Sequence, residues 1–176
     1  PYLADDTEGT IEEGRRLWQA VDRNNVMIKI PATEAGIPAV RQLISEGLNI
    51  NVTLMFSFAV YEAVAEAYIA GLEDRAAQGC DLSGINTVAS FFISRIDTLV
   101  DDLLEKRAGE AVSDLEQEKI RDLFGQVAIA MPDAQGRRAA RTFERDRHVA
   151  VAIRAGKGND RRAPTRCLRH QPSLSM

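Results

Sequence analysis

Val26-Met27-Ile28-Lys29-Ile30-Pro31-Ala32-Thr33 is the stretch on which the reading of this chain turns. It is short, apolar and rich in branched side chains, which predicts a strand buried in a parallel sheet over residues 26–30. One cation stands in its middle. An ammonium is costly to bury, so an amine held among aliphatic side chains is expected to lose its proton more readily and to attack a carbonyl. The bland alternative is a strand lysine whose stem lies along apolar surface while its head reaches water.

Outward from this segment, strands and helices alternate. Thr10 with Glu13 offers a capping box, and Ile11, Leu17, Trp18 and Val21 form a helical stripe that ends at Asn24-Asn25. After the Lys29 strand, Ile37, Val40, Leu43 and Ile44 repeat at helical spacing until Glu46-Gly47. Residues 50–56 predict a second strand, residues 58–72 a helix facing the core with Val60, Val64 and Tyr68, and residues 87–93 a third strand. Ile96, Leu99, Val100, Leu103 and Leu104 predict the next helix, and residues 115–124 another. Such alternation with short connections calls for a parallel sheet and the α/β class.

Side chains alternate along a strand, so Lys29 and Met27 are expected on one face, and Asn51, Thr53 and Met55 on one face of the next strand. Inward polar residues in a core strand are expensive unless they find hydrogen bonds, which gives Asn51 and Thr53 a use beside Lys29.

The segment from Val26 to Thr33, with Gly36-Ile37-Pro38-Ala39-Val40 and Leu43, resembles the active-site lysine segment of transaldolases. Asn49-Ile50-Asn51-Val52-Thr53-Leu54-Met55-Phe56-Ser57 is similar to that family's next strand, and Val88-Ala89-Ser90-Phe91-Phe92-Ile93-Ser94-Arg95-Ile96-Asp97 to the one after. The resemblance covers roughly residues 1–130. It implies a TIM (β/α)8 barrel of which about the middle half is present, since a whole barrel takes about 250 residues. An upstream strand is expected to end before Asp5.

The resemblance makes Lys29 the Schiff-base nucleophile and Thr53 the holder of the water that relays protons. Asn51 and Ser90 then bind substrate, and Arg95 binds its phosphate, where a guanidinium forks onto the oxygens. Apart from that motif, Arg95 reads as a surface partner of Asp97 or Asp101, and Asp97 as a residue at a helix start. The implied reaction transfers a dihydroxyacetone unit between sugar phosphates in the pentose phosphate pathway, with sedoheptulose 7-phosphate and glyceraldehyde 3-phosphate giving erythrose 4-phosphate and fructose 6-phosphate. No metal and no organic cofactor is called for, because the protonated imine is the electrophile. The family's catalytic carboxylate and first-strand aspartate fall upstream of Pro1, and its second phosphate-binding strand beyond Ala130, so the piece alone is expected to be inactive or nearly so. A fructose 6-phosphate aldolase, or the transaldolase part of a fusion with glucose-6-phosphate isomerase, is the alternative.

Composition sets the remaining expectations. Hydrophobic residues make up 45% of 176, enough for a core. No apolar run approaches the roughly 20 residues of a membrane span, and no basic signal start is present, so a cytoplasmic location and no membrane partner are expected. Cys80 and Cys167 lie in unrelated contexts and are read as free thiols, and the histidines, His148 and His170, lie late, which leaves residues 1–130 without a metal-binding pattern.

The net charge of −4 conceals a break: residues 131–176 carry 11 basic and 4 acidic residues, the preceding ones 11 and 22. Residues 131–176 are therefore expected to form a separate tail outside the family pattern, disordered or translated from a shifted reading frame. Its arginines also admit a nucleic-acid-binding reading, but it lacks an RNA-recognition aromatic pattern and zinc spacing, so no nucleic-acid partner is expected.

Overall fold

A computed structural model describes residues 2–23 and 25–131. The expected tail lies outside the described residues, apart from Met131, which ends a helical stretch over 126–131. The elements run α1 (Thr7–Val21), β1 (Ile28–Pro31), α2 (Gly36–Glu46), β2 (Ile50–Met55), α3 (Phe58–Ala77), β3 (Thr87–Phe91), α4 (Ile93–Gly109) and α5 (Asp114–Arg121). The three strands form one parallel sheet in the order β1-β2-β3, which bears out the α/β class. Residues 2–5 form a turn, so among the described residues no strand end precedes Asp5.

Helix α1 starts three residues before Thr10. Asp6 is its N-cap, accepting from the Gly9 amide, while Thr10 turns inward and donates to the Leu3 carbonyl at 2.8 Å. Thr33 in turn donates to the Ala4 carbonyl, and Thr7 donates to the Ala35 carbonyl at 2.8 Å. These bonds tie the entry of α1 to the loop at the carboxyl end of β1.

One face of β1 and β2 carries the core. Ile28, Ile30, Ile50, Val52 and Met55 are buried together with Val40, Leu43 and Ile44 of α2 and Val64, Ile69 and Leu72 of α3. At the far end, α2 stops on Gly47, whose φ of 97° suits glycine; its amide and that of Leu48 bond back to the Ile44 and Leu43 carbonyls at 3.0 Å. The Arg75 guanidinium sits against this turn, donating to the Asp81 and Ser45 carbonyls. Burial lowers its pKa, but a guanidinium starts so high that it stays charged.

A Cβ on Gly47 would lie 2.6 Å from Arg75 Nη1. Gly47→Ala therefore combines a left-handed alanine with a displaced cation and is expected to cost about 1–3 kcal/mol in urea unfolding. An unchanged midpoint would refute it.

Helices α4 and α5 pack on each other. Asp97 and Asp101 of α4 accept from the Ala128 and Gly125 amides at 2.8 and 3.0 Å, so Asp97 holds the segment after α5 and does not cap its own helix. Cys80, expected as a free thiol, is disulfide-bonded. The chain's other cysteine, Cys167, lies outside the described residues.

Candidate functional site

The second face of the sheet gathers the residues singled out above. Lys29 pairs in register with Asn51, and Asn51 with Val88, so their side chains leave the sheet on the same side. Ser90, two residues beyond Val88, shares that side and donates its hydroxyl to Asn51 Oδ1 at 2.8 Å. An amide oxygen occupied in this way leaves the amide N–H groups of Asn51 as the donors toward whatever lies above the sheet.

Lys29 itself is exposed. That corrects the expectation of a buried amine, and the reason is geometric: the aliphatic neighbours Ile28 and Ile30 point to the opposite face, into the helices. Among the described residues, nothing closes over the Lys29 face; Met27, Leu54 and Val88 are exposed as well.

Thr53 stands opposite Pro31, two steps along from the Lys29–Asn51 pair. It is buried, and among the described residues its Oγ1 has no hydrogen-bond partner. The grouping of Met55 with Asn51 and Thr53 does not hold: Met55 is fully buried in the core. The cause is a register irregularity between Val52 and Met55, where Leu54 takes a φ of 61°. Nothing in the apolar run of β2 signals that irregularity.

Arg95 lies in the first turn of α4, beyond the carboxyl end of β3. It is exposed and, among the described residues, makes no salt bridge with Asp97 or Asp101. Its guanidinium carbon rests 4.8 Å from the centre of the Phe92 ring, and that ring meets Phe56 edge-on at 5.3 Å. The aromatic stack therefore links the ends of β2 and β3 and supports the cation. A shallow depression beside it is lined by Ser94, Arg95, Thr98, Leu99 and Asp102.

Lys29, Asn51, Thr53 and Ser90 thus occupy one face, and Arg95 stands at its carboxyl-end margin. Among the described residues no cluster of three or more His, Cys, Asp or Glu side chains is arranged to hold a metal ion, and no helix is long and apolar enough to cross a membrane.

The sequence compares with known proteins in the same sense. Residues 1–132 match the family described as transaldolase/fructose-6-phosphate aldolase. A protein named "Transaldolase 2" from Nostoc sp. is 46% identical over 158 residues, which are 89% of this chain and 42% of that protein. "Transaldolase" of Trichodesmium erythraeum is 43% identical over 157 residues, 89% of this chain and 41% of its own length. "Transaldolase" of Thermobifida fusca is 56% identical over 110 residues, 62% of this chain and 30% of that protein. The chain spans about two fifths of the length of the first two relatives. By the match over residues 1–132, this chain belongs to the transaldolase/fructose-6-phosphate aldolase family.

Proposed function

We propose that the protein to which these residues belong is a transaldolase, and that Lys29 is its nucleophile. The observation that carries this reading is Lys29 in register with Asn51, itself bonded to Ser90, on one sheet face in a chain of this family. In the whole protein the sheet belongs to a (β/α)8 barrel, and the Lys29 face looks into it at the carboxyl ends of the strands, where barrel enzymes carry their chemistry.

The steps follow from the groups at hand. Neutral Lys29 Nζ adds to the C2 carbonyl of a ketose phosphate, and loss of water gives an iminium. The iminium accepts the electron pair of the C3–C4 bond as the C4 hydroxyl gives up its proton, releasing an aldose phosphate and leaving a three-carbon enamine on Lys29. The enamine carbon adds to the aldehyde of a second aldose phosphate, and water hydrolyses the new iminium. Asn51 N–H groups and Ser90 hold substrate hydroxyls, Thr53 holds the water that passes protons, and Arg95 takes the phosphate.

Borohydride reduction in the presence of fructose 6-phosphate, followed by peptide mass mapping, tests the assignment. A three-carbon or whole-sugar adduct on Lys29 is expected, first with a longer chain that includes the rest of the barrel; an adduct confined to other lysines there would overturn it. The family description also names fructose 6-phosphate aldolase. Turnover that depends on erythrose 4-phosphate as acceptor marks the transferase, whereas release of the three-carbon product without it marks the aldolase.

A further inference from the structure

Arg95 is held in a way that leaves its donors free. Its guanidinium carbon lies 4.8 Å from the centre of the Phe92 ring, and among the described residues it makes no hydrogen bond and no salt bridge. The carboxylates of its own helix are otherwise engaged, since Asp97 and Asp101 accept from the Ala128 and Gly125 amides. A carboxylate partner would take the N–H groups that a phosphate needs. A ring attracts the charge and has no oxygen to accept them.

Two consecutive phenylalanines at the end of β3 are divided between two neighbours. Phe91 meets Phe58 and Tyr61 of α3 at 5.9 and 6.4 Å and packs against the core. Phe92 meets Phe56 instead, with ring centres 5.3 Å apart and planes at 89°, the edge-to-face geometry that aromatic pairs favour. Phe56 directly follows β2 and Phe92 directly follows β3, and the Phe92 amide donates to the Met55 carbonyl at 2.9 Å. Phe56 is 45% exposed and is not part of the buried cluster that holds the helices to the sheet.

We infer that Phe56 is a positioning residue for phosphate: it fixes the Phe92 ring on which Arg95 rests, and so sets how strongly the site prefers phosphorylated sugars. The inference rests on the reading of Arg95 as the phosphate ligand. An unsupported surface arginine visits many rotamers, and a ligand binds only the fraction in the right one. Ring–ring and cation–ring contacts each bias such populations by about two- to tenfold.

Phe56→Leu and Phe56→Tyr, in a longer chain that includes the rest of the barrel, test it; leucine removes the ring and tyrosine keeps it. With leucine, the calorimetric affinity for glucitol 6-phosphate, which has no carbonyl to react, is expected to fall about three- to tenfold. The half-saturating fructose 6-phosphate for adduct formation on Lys29 is expected to rise as much, with the maximal rate within about twofold. Adduct formation with dihydroxyacetone, which carries no phosphate, is expected to stay within about twofold, as are all three measurements with tyrosine. Phe91→Leu is expected to lower the urea midpoint and to leave glucitol 6-phosphate affinity within about twofold. Equal losses for dihydroxyacetone and fructose 6-phosphate in Phe56→Leu, or an unchanged affinity for glucitol 6-phosphate, would overturn the inference. Arg95→Ala tells its failure from that of the reading beneath it. If Arg95→Ala leaves glucitol 6-phosphate affinity unchanged, the reading of Arg95 falls and the inference with it; if Arg95→Ala weakens binding and Phe56→Leu does not, the inference alone falls. In the Arg95→Ala background, Phe56→Leu is expected to add no further loss, and a full additional loss there would show that the ring acts without the cation. If no adduct forms on Lys29, the reading of Lys29 falls, and glucitol 6-phosphate binding alone decides the role of Phe56.

Discussion

Lys29→Arg is expected to abolish the trapped adduct and to reduce turnover on the order of 10⁴-fold or more, as removal of a covalent nucleophile does. The substitution keeps a positive charge and a long aliphatic stem, but a guanidinium does not deprotonate and cannot form the imine. It therefore separates the nucleophile from the cation. A lysine that serves only to attract the sugar phosphate would be largely replaced by arginine, leaving turnover within about tenfold. Affinity for a non-reacting sugar phosphate, read by calorimetry, is expected to change little, because Arg95 and the Asn51–Ser90 pair are untouched. A mass shift that persists in the variant on Lys106, Lys119 or Lys157 would show that trapping reports amines other than Lys29 and would sink the assignment.

The face on which Lys29 stands was legible in the chain; its exposure was not. Alternation along residues 26–30 separates Lys29 from Ile28 and Ile30, and the structure keeps that separation. Burial, however, depends on what covers a face, and aliphatic neighbours in sequence point to the other one. The close of α2 at Gly47 was also visible, since a glycine after the last apolar repeat marks a left-handed stop.

Two other expectations failed for physical reasons. Thr10 has the chemistry of a cap, yet its hydroxyl is used by the Leu3 carbonyl and Asp6 caps the helix, because the incoming chain decides which side chain meets the free amides. Met55 was placed with Asn51 because alternation was carried through Leu54. The φ of 61° there is one that leucine does not favour, and the carbonyls on either side of it, of Thr53 and Met55, accept from Ala32 and Phe92 on neighbouring segments.

Leu43→Ala is expected to lower the unfolding free energy by about 2–5 kcal/mol, a large part of the 5–15 kcal/mol that holds a typical domain. Leu43 is wholly buried between the sheet and the helices, and α1 rests directly on it: a Cβ built on Gly14 would lie 2.8 Å from Leu43 Cδ1. The shortened side chain leaves that space unfilled. The urea midpoint is expected to fall with little change in slope, since the surface exposed on unfolding hardly alters. The same contact predicts a reversal of sign. Gly14→Ala destabilises the native chain, because its new methyl group meets Leu43 Cδ1, although alanine favours the helix over glycine by about 1 kcal/mol. In the Leu43→Ala background that methyl group enters vacated space and the helical preference adds to it, so Gly14→Ala becomes stabilising. The double-mutant cycle is expected to give a coupling of about 1–3 kcal/mol. Additive losses would mean that α1 and α2 do not share this contact, and that the core beneath Lys29 and Asn51 is held by other residues.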